Sequence, residues 1–361
     1  MKSKVVILKT SPAAVLEDYL KVMHLANYQE VLQKDIDTLI KLNLSWTLFF
    51  PACSSPPWQL EGVLRTMLVD GYRKEKLFSV ENKTVVTNPI KGAKQNRWLT
   101  VLEKYNLQFI PLMGVRWIEY KPQRKMLILD KIFPEGIFIP EMFIGKNIIH
   151  LPTVKTHGHS TTTGAMKNAF GGLLKEKRHY CHKYIHETLV DLLVIQKEIH
   201  PAIFVVMDGT ICGDGAGPRI LIPRIKNYLL ASSDSVAIDA IAAKMMGFEP
   251  LQIPYLRIAT ENHLGTADLK DIELIGEDIS AVNFGFKAKK SLVIWADQML
   301  RLGPLRFLEH LALHTRLSIC AVVASTIYHD YIWYPTIGRR RLKSFMQTEW
   351  GRLFKSYQYK K

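Results

Sequence analysis

The 361-residue chain concentrates its chemically capable side chains between His150 and Leu174, in the segment HLPTVKTHGHSTTTGAMKNAFGGLL. An apolar run ends near Val154, so Lys155, Thr156 and His157 fall at the carboxyl end of a strand. Gly158–Thr163 is a loop of small and hydroxyl residues that suit N-capping, and a helix is expected from about Gly164. The free N–H groups and dipole of a helix start attract an anion. Lys155 approaches that start from the strand and Lys167 from about one turn into the helix. His157 and His159 stand by for proton transfer. Singly, these residues also read as caps and solvated lysines. Together, with Thr163, Gly164 and Asn168, they predict a phosphate or carboxylate site where open sheets place their ligands.

A second candidate follows the apolar run Ile203–Met207. Asp208, at its carboxyl end, reads as a general base, a metal ligand or a partner for the lysines, or else as an Asx turn. The following GDGAGP, with Gly215 and Gly217, permits positive φ and close backbone approach. It is neither a Walker loop nor a dinucleotide fingerprint, because the GK[ST] and the correctly placed GxGxxG are missing. Asp234 reads as the cap of a helix over Val236–Met246, and Asp239 inside that apolar helix needs a partner if buried. Asn43 and Ser45, alternate residues of KLNLSW, would share a strand face and add polar contacts. His179, His182 and His186 fall on one face of an expected helix over Tyr180–Ile195. That spacing can bind zinc or another divalent metal, or form a solvated basic face with Lys175, Lys177, Arg178 and Lys183.

The elements that must position these groups alternate. Strand character is read at Val5–Leu8, Thr38–Phe50, Leu77–Val80, Leu107–Leu112, Val115–Tyr120, Ile148–Val154 and Ile203–Met207, with Met126–Leu129 as a candidate antiparallel mate of Val115–Tyr120. Helices are read at Ala13–His24, from Pro57 to about Tyr72, at Leu292–Arg301 and over Leu305–Tyr328. Alternating strands and helices predict an α/β fold, an open and mostly parallel sheet flanked by helices. The composition, 48% hydrophobic and 22% charged, is that of a globular protein and excludes disorder and a disulfide scaffold.

Charge divides the chain. Lys and Arg number 48 against 33 Asp and Glu, and from Lys287 onward there are 14 basic and 4 acidic residues. The boundary therefore separates an α/β core, residues 1–286, from a basic, aromatic-rich helical extension, residues 287–361. That extension suits an acidic surface, either membrane or nucleic acid, with Trp333, Trp350 and Arg339-Arg340-Arg341 as the place to look. No signal peptide and no transmembrane segment of roughly 18 apolar residues is read. The four cysteines are scattered without a CxxC or ferredoxin-type run, which points to the cytoplasm, with a peripheral membrane location open.

The motifs LPTVKTHGHSTTTGAMKNAFGGLL, VVMDGTICGDGAGP and LLASSDSVAIDAIAAKMMGF, in that order, resemble the domain of unknown function 362 family over roughly Thr38 to Gly276. The resemblance implies roles for Lys155, Thr156, His157, Thr163, Gly164, Lys167, Asn168, Gly171, Asp208, Gly215, Gly217, Asp234 and Asp239. Some members carry iron–sulfur segments, whereas this chain has no ferredoxin cysteine run. A looser similarity is to the lactate racemase superfamily, in which His and Lys near a Gly-rich segment engage a nickel cofactor; here the positions are His157, His159 and Lys167. The leading expectation is an enzyme acting on a small anionic or phosphorylated metabolite with His-assisted proton transfer. The alternatives are a metal-dependent redox or racemase-like enzyme, and a non-enzymatic module binding nucleic acid or anionic membrane through the extension.

Overall fold

A computed structural model describes residues 2–313, 315 and 318–358, apart from the side chains of Glu176 and Lys177. Its strands are β1 (Ser3–Lys9), β2 (Thr38–Lys41), β3 (Leu77–Glu81), β4 (Phe109–Pro111), β5 (Trp117–Tyr120) and β6 (Ile137–Pro140), followed by β7 (Asn147–His150), β8 (Thr153–His157), β9 (Thr161–Thr163), β10 (Ile203–Ala216), β11 (Ile220–Ser232) and β12 (Ile272–Gly276). The large sheet runs β12-β1-β11-β10-β7-β2-β3-β4, with β8 beside β10 and β9 beside β8. Six of its nine pairings are parallel; β1–β11, β10–β11 and β8–β9 are antiparallel. β5 and β6 form a separate antiparallel ribbon.

The period of two along each strand sorts side chains into two cores. Val5, Ile7, Leu39, Ile148 and Val205 enter one core, beneath the helices Ala165–Leu173, Ile185–Ile199 and Ser235–Met246. Val6, Leu8, Ile40, Ile149 and Val206 enter the other, beneath Val15–Leu25 and Pro57–Val69. Both faces being covered, these strands read as unbroken apolar runs.

Four segments differ from their sequence reading. The strand expected over Thr38–Phe50 stops at Lys41, because the amides of Asn43 and Ser45 bond to the hydroxyls of Ser55 and Ser54 instead of a ladder, so Asn43 and Ser45 share no strand face. Met126–Leu129 forms no strand: the amides of Leu127, Ile128 and Leu129 all donate to the carboxylate of buried Asp191, and β5 pairs with β6. The run Ile148–Val154 divides into β7 and β8 around Pro152, which has no N–H for a ladder. Residues Glu176–Tyr184 form a 3-10 turn, and the α-helix begins only at Ile185.

The extension packs onto the second core. Its helix Leu292–Arg301 starts at a Ser291 cap, as the sequence reading places it. The long helix expected over Leu305–Tyr328 is instead Glu309–Leu313 and Ser318–Thr326, with part of that span outside the described residues, and the latter runs on through a π-helical stretch, Ile327–Gly338, and the helix Arg339–Phe345. Trp333, Phe345, Trp350 and Phe354 are buried; Phe354 stacks on Phe49 at 3.7 Å between ring centres, and Trp350 meets Trp58 at 5.0 Å. Trp350 Nε1 also donates to Asn227 Oδ1 at 2.8 Å. These aromatic rings belong to the core. Among the described residues no single helix is long and apolar enough to cross a membrane.

Replacing Trp350 tests this docking. Trp350→Ala removes a buried ring and its hydrogen bond, and it should cost about 4 kcal/mol in urea denaturation; a change within 0.5 kcal/mol would place the ring outside the core.

Candidate functional site

A cavity of about 480 Å³ lies at the carboxyl edge of the parallel strands, roofed by Leu292–Arg301 and Ser318–Thr326 of the extension. The edge rule for open sheets accounts for its polar floor. Lys41 ends β2 and Glu81 ends β3, and their buried side chains pair at 2.8 Å. His150 ends β7 and bonds to Gln196 Oε1 at 2.6 Å, while its Nδ1 meets Asn168 Nδ2 at 3.3 Å. Asn168 also donates to the Lys41 carbonyl at 3.0 Å, tying the Ala165–Leu173 helix to β2.

The hairpin β8–β9 and that helix bring His157, His159, Thr163, Gly164, Lys167 and Asn168 to the cavity wall, and Asn43 joins them from the segment after β2. His157 Nδ1 accepts from the amides of His159 at 3.1 Å and Ser160 at 3.4 Å. A ring nitrogen that accepts carries no proton, so the neutral imidazole holds its hydrogen on Nε2. Burial and the nearby Lys167 hold the ring well below the usual histidine range, and it stays neutral. His157 is therefore a hydrogen-bond donor at Nε2; its one lone pair is spent on the backbone. Burial likewise takes His159 down to about 4.

Lys167 is half-buried and differs from the buried lysines Lys41 and Lys155. Its ammonium lies over the Phe170 ring at 4.7 Å and has no hydrogen-bond or ion-pair partner among the described residues. Burial, with Arg178 nearby, brings it down to about 8. Three buried polar atoms that line the same cavity also lack hydrogen-bond partners among the described residues, Glu81 Oε2, Thr163 Oγ1 and Asn168 Oδ1, while Arg301 Nη1 has an ion pair to Glu309 Oε1 at 3.9 Å. Buried polar groups are nearly always satisfied, so such a ring of open valences calls for a ligand or solvent.

Several residues expected at the site stand elsewhere. Lys155 is buried, and its three N–H bonds go to Asn43 Oδ1, the Cys53 carbonyl at 2.9 Å and Thr153 Oγ1 at 2.7 Å, so it braces the 43–53 loop and faces no cavity. Thr156 bonds to the Gly215 carbonyl at 2.8 Å. Gly217 lies where any Cβ would stand 1.9 Å from the Thr156 carbonyl, and Gly215 has a φ of +103°; both seat the β10–β11 hairpin against β8. Asp208 accepts from the Tyr19 hydroxyl at 2.6 Å, Trp58 Nε1 at 3.0 Å, and the Thr210 hydroxyl and amide at 2.7 and 3.0 Å. Four donors saturate it, away from the cavity. The helix start itself is taken: Asp239 accepts from the amides of Ala165 at 2.6 Å and Met166 at 3.1 Å. The protein's own carboxylate fills the anion position predicted there, and Gly164 is required because a Cβ would come within 2.0 Å of Asp239. Asp234 caps its helix, accepting from Val236 and Ala237.

The three spaced histidines do not form one set. His179 and His182 line the cavity, whereas His186 packs against Tyr255 at 6.1 Å and is not in the wall. His182 stacks instead on His159, at 4.7 Å and 14°. With Asp297 these two form a trio whose ligand atoms lie within 4.8 Å of one another, close enough to hold a metal. Against that, Asp297 is held by Arg301 Nε at 2.9 Å; burial chiefly, with His159, Arg301 and Lys167, holds His182 well below its usual range, and the charges of Arg301 and Lys167 oppose a cation as well. Lys41, Glu81, Asp297 and Arg301 escaped the sequence reading. The carboxyl-edge rule could have found the first two had the strand end been set at Lys41; no local signal carries the last two across some 140 residues to His159.

The model of the family described as Domain of unknown function (DUF362) matches residues 38–244, which include the cavity floor and stop short of Asp297 and Arg301. A thylakoid-associated protein of Synechocystis sp. is 26% identical over 177 residues, 48% of this chain and 51% of that protein. The chain thus spans about half the length of the curated relative it matches. No solved structure gives a significant match.

The unpaired ammonium has a signature in stability. The folded value of about 8 for Lys167 lies below the unfolded value of about 10.4. The unfolded chain therefore binds more protons between those pH values, so stability rises with pH across the interval and the penalty is full below pH 8. Lys167→Met should raise stability at pH 7 by up to about 3 kcal/mol in urea denaturation, with the gain shrinking toward pH 10. An equal or lower stability of the variant at pH 7 would mean the ammonium is satisfied.

Proposed function

The chain belongs to the DUF362 family, a premise that assigns no reaction, and from its cavity we propose an enzyme that binds a small anionic ligand, phosphate or carboxylate, on Lys167. The observation that carries this reading is the Lys167 ammonium, which lines the cavity with no oxygen partner among the described residues. A half-buried charge without a partner is costly, and a structure keeps one where a ligand will complete it. His157 donates from Nε2 and polarises the bound group without becoming an imidazolium, as a neutral imidazole with backbone-fixed tautomer does. Proton transfer falls to Lys167, whose value of about 8 lies near neutrality, and to neutral His159 across from it.

The location proposed is the cytoplasm at a membrane surface. The description of the Synechocystis relative as thylakoid-associated supports it, as does the basic extension. The rival reading, a metal-dependent redox or racemase-like reaction, rests on His159, His182 and Asp297.

Calorimetric titration with inorganic phosphate, a phosphate monoester and a simple carboxylate separates these readings. At least one should bind at pH 7, at least tenfold more weakly to Lys167→Met, and wild-type affinity should fall above pH 8 as the ammonium loses its proton. Affinity unchanged by Lys167→Met and flat from pH 7 to 9, or binding only of a divalent metal, would contradict the proposal.

A further inference from the structure

Much of the cavity wall is apolar. The core supplies Leu44, Val85 and Phe170, and the extension supplies Val293, Ile294 and Leu300 on its first helix, Leu313, then Ala321 and Val322 on Ser318–Thr326, beside the polar Asp297, Arg301 and Ser325. Ala321 and Ala324 both line the cavity and stand exposed, so the apolar wall reaches the surface at this helix. A small hydrophilic anion leaves such a wall unused.

The outside of the same helices is apolar as well. Twelve of the twenty-three large apolar side chains exposed among the described residues lie between Leu292 and Ile337, among them Trp295 at 56% and Phe307 at 75% exposure. Ser318–Thr326 turns Val322 toward the cavity and exposes Ile319 and Val323 outward. A helix apolar on both faces needs an apolar medium on its outer side. The charges flanking the stretch say which medium. Exposed Lys287, Lys289 and Lys290 precede it and exposed Arg339 and Arg340 follow it, the arrangement of a segment that lies in an anionic membrane interface with its cations at the headgroups. Length and composition agree: Arg306–Leu313 and Ser318–Phe345 together are apolar enough for a bilayer, yet bend by 85° between them, which suits lying in a leaflet.

We infer that the ligand of this cavity is an anionic amphiphile drawn from an anionic bilayer, its phosphate or carboxylate head on Lys167 and its hydrocarbon chain beneath the extension. The inference rests on the anion-binding reading above and adds the source and the chain. The extension then has two tasks, holding the protein on the leaflet and forming the apolar wall along which the chain slides in.

Two measurements on the full chain test it. The first is calorimetry with inorganic phosphate and with ethyl, butyl, hexyl and octyl phosphate below their micellar concentrations. Affinity should rise two- to fourfold per added methylene until the wall is filled. Phosphate binding that ignores chain length would overturn the inference and leave the anion site standing, whereas no binding of phosphate or any alkyl phosphate would overturn both. The second is flotation with vesicles of phosphatidylglycerol and phosphatidylcholine against phosphatidylcholine alone. The protein should float with the anionic vesicles, less so in high salt. The double variant Trp295→Glu, Phe307→Glu should float at least tenfold less while binding inorganic phosphate as wild type does. Failure to float, or self-association through this face in place of floating, would overturn the bilayer as the source.

Discussion

The carboxylate of Asp239 on the amides of Ala165 and Met166 sets the terms for the whole site. A helix start at the carboxyl edge of a parallel sheet is an anion position, and here an acid from the neighbouring Ser235–Met246 helix occupies it. That contact excludes a Cβ at residue 164 and locks the Ala165–Leu173 helix against Ser235–Met246, and with the Asn168 bond to the Lys41 carbonyl it fixes the direction in which Lys167 and Asn168 project. It also removes the backbone from ligand binding. What remains to meet an anion is side-chain charge.

The two lysines of the motif show how differently one residue type is used. Lys155 has all three hydrogens bonded to oxygens of the 43–53 loop and Thr153, and works as a brace. Lys167 has none bonded to a described residue and rests on an aromatic face. Asp208 and Asp239 repeat the contrast with Glu81: the first two carboxylates are satisfied by donors of the protein itself, while Glu81 keeps one oxygen without a partner toward the cavity. Satisfied groups of this kind hold the hairpins in register, and the unsatisfied ones mark the space they surround. Burial lowers the proton affinity of His157, His159, His182 and Lys167 together, so near neutrality the site offers three uncharged imidazoles and one cation poised to titrate.

The sequence carried the architecture wherever a local period decides it. The alternation in Val5–Leu8, Leu77–Val80 and Ile203–Met207 places strands correctly, because each second residue feeds a different core. It failed where a distant partner overrides the period: Asp191 draws off the amides of Leu127–Leu129, and Ser54 and Ser55 draw the chain out of the sheet after Lys41. The cluster His157, His159, Thr163, Gly164, Lys167 and Asn168 was legible since strand, loop and helix are contiguous, and the structure brings these six to one wall. Whether a lysine there is free or saturated was not legible, because the deciding oxygens of Asn43 and Cys53 lie more than a hundred residues away. The roof was hidden for the same reason: nothing local in Leu292–Arg301 says that Asp297 and Arg301 face His159 and His182.

The most direct test of the central claim is the titration of the Lys167 side-chain nitrogen by NMR, assigned against Lys167→Arg, with and without inorganic phosphate. The account predicts a value near 8 in the free protein that rises when the anion binds, because the ligand supplies the negative charge the structure withholds. An ordinary value near 10.4, unmoved by phosphate, would show that Lys167 is already satisfied and that the cavity is not an anion site.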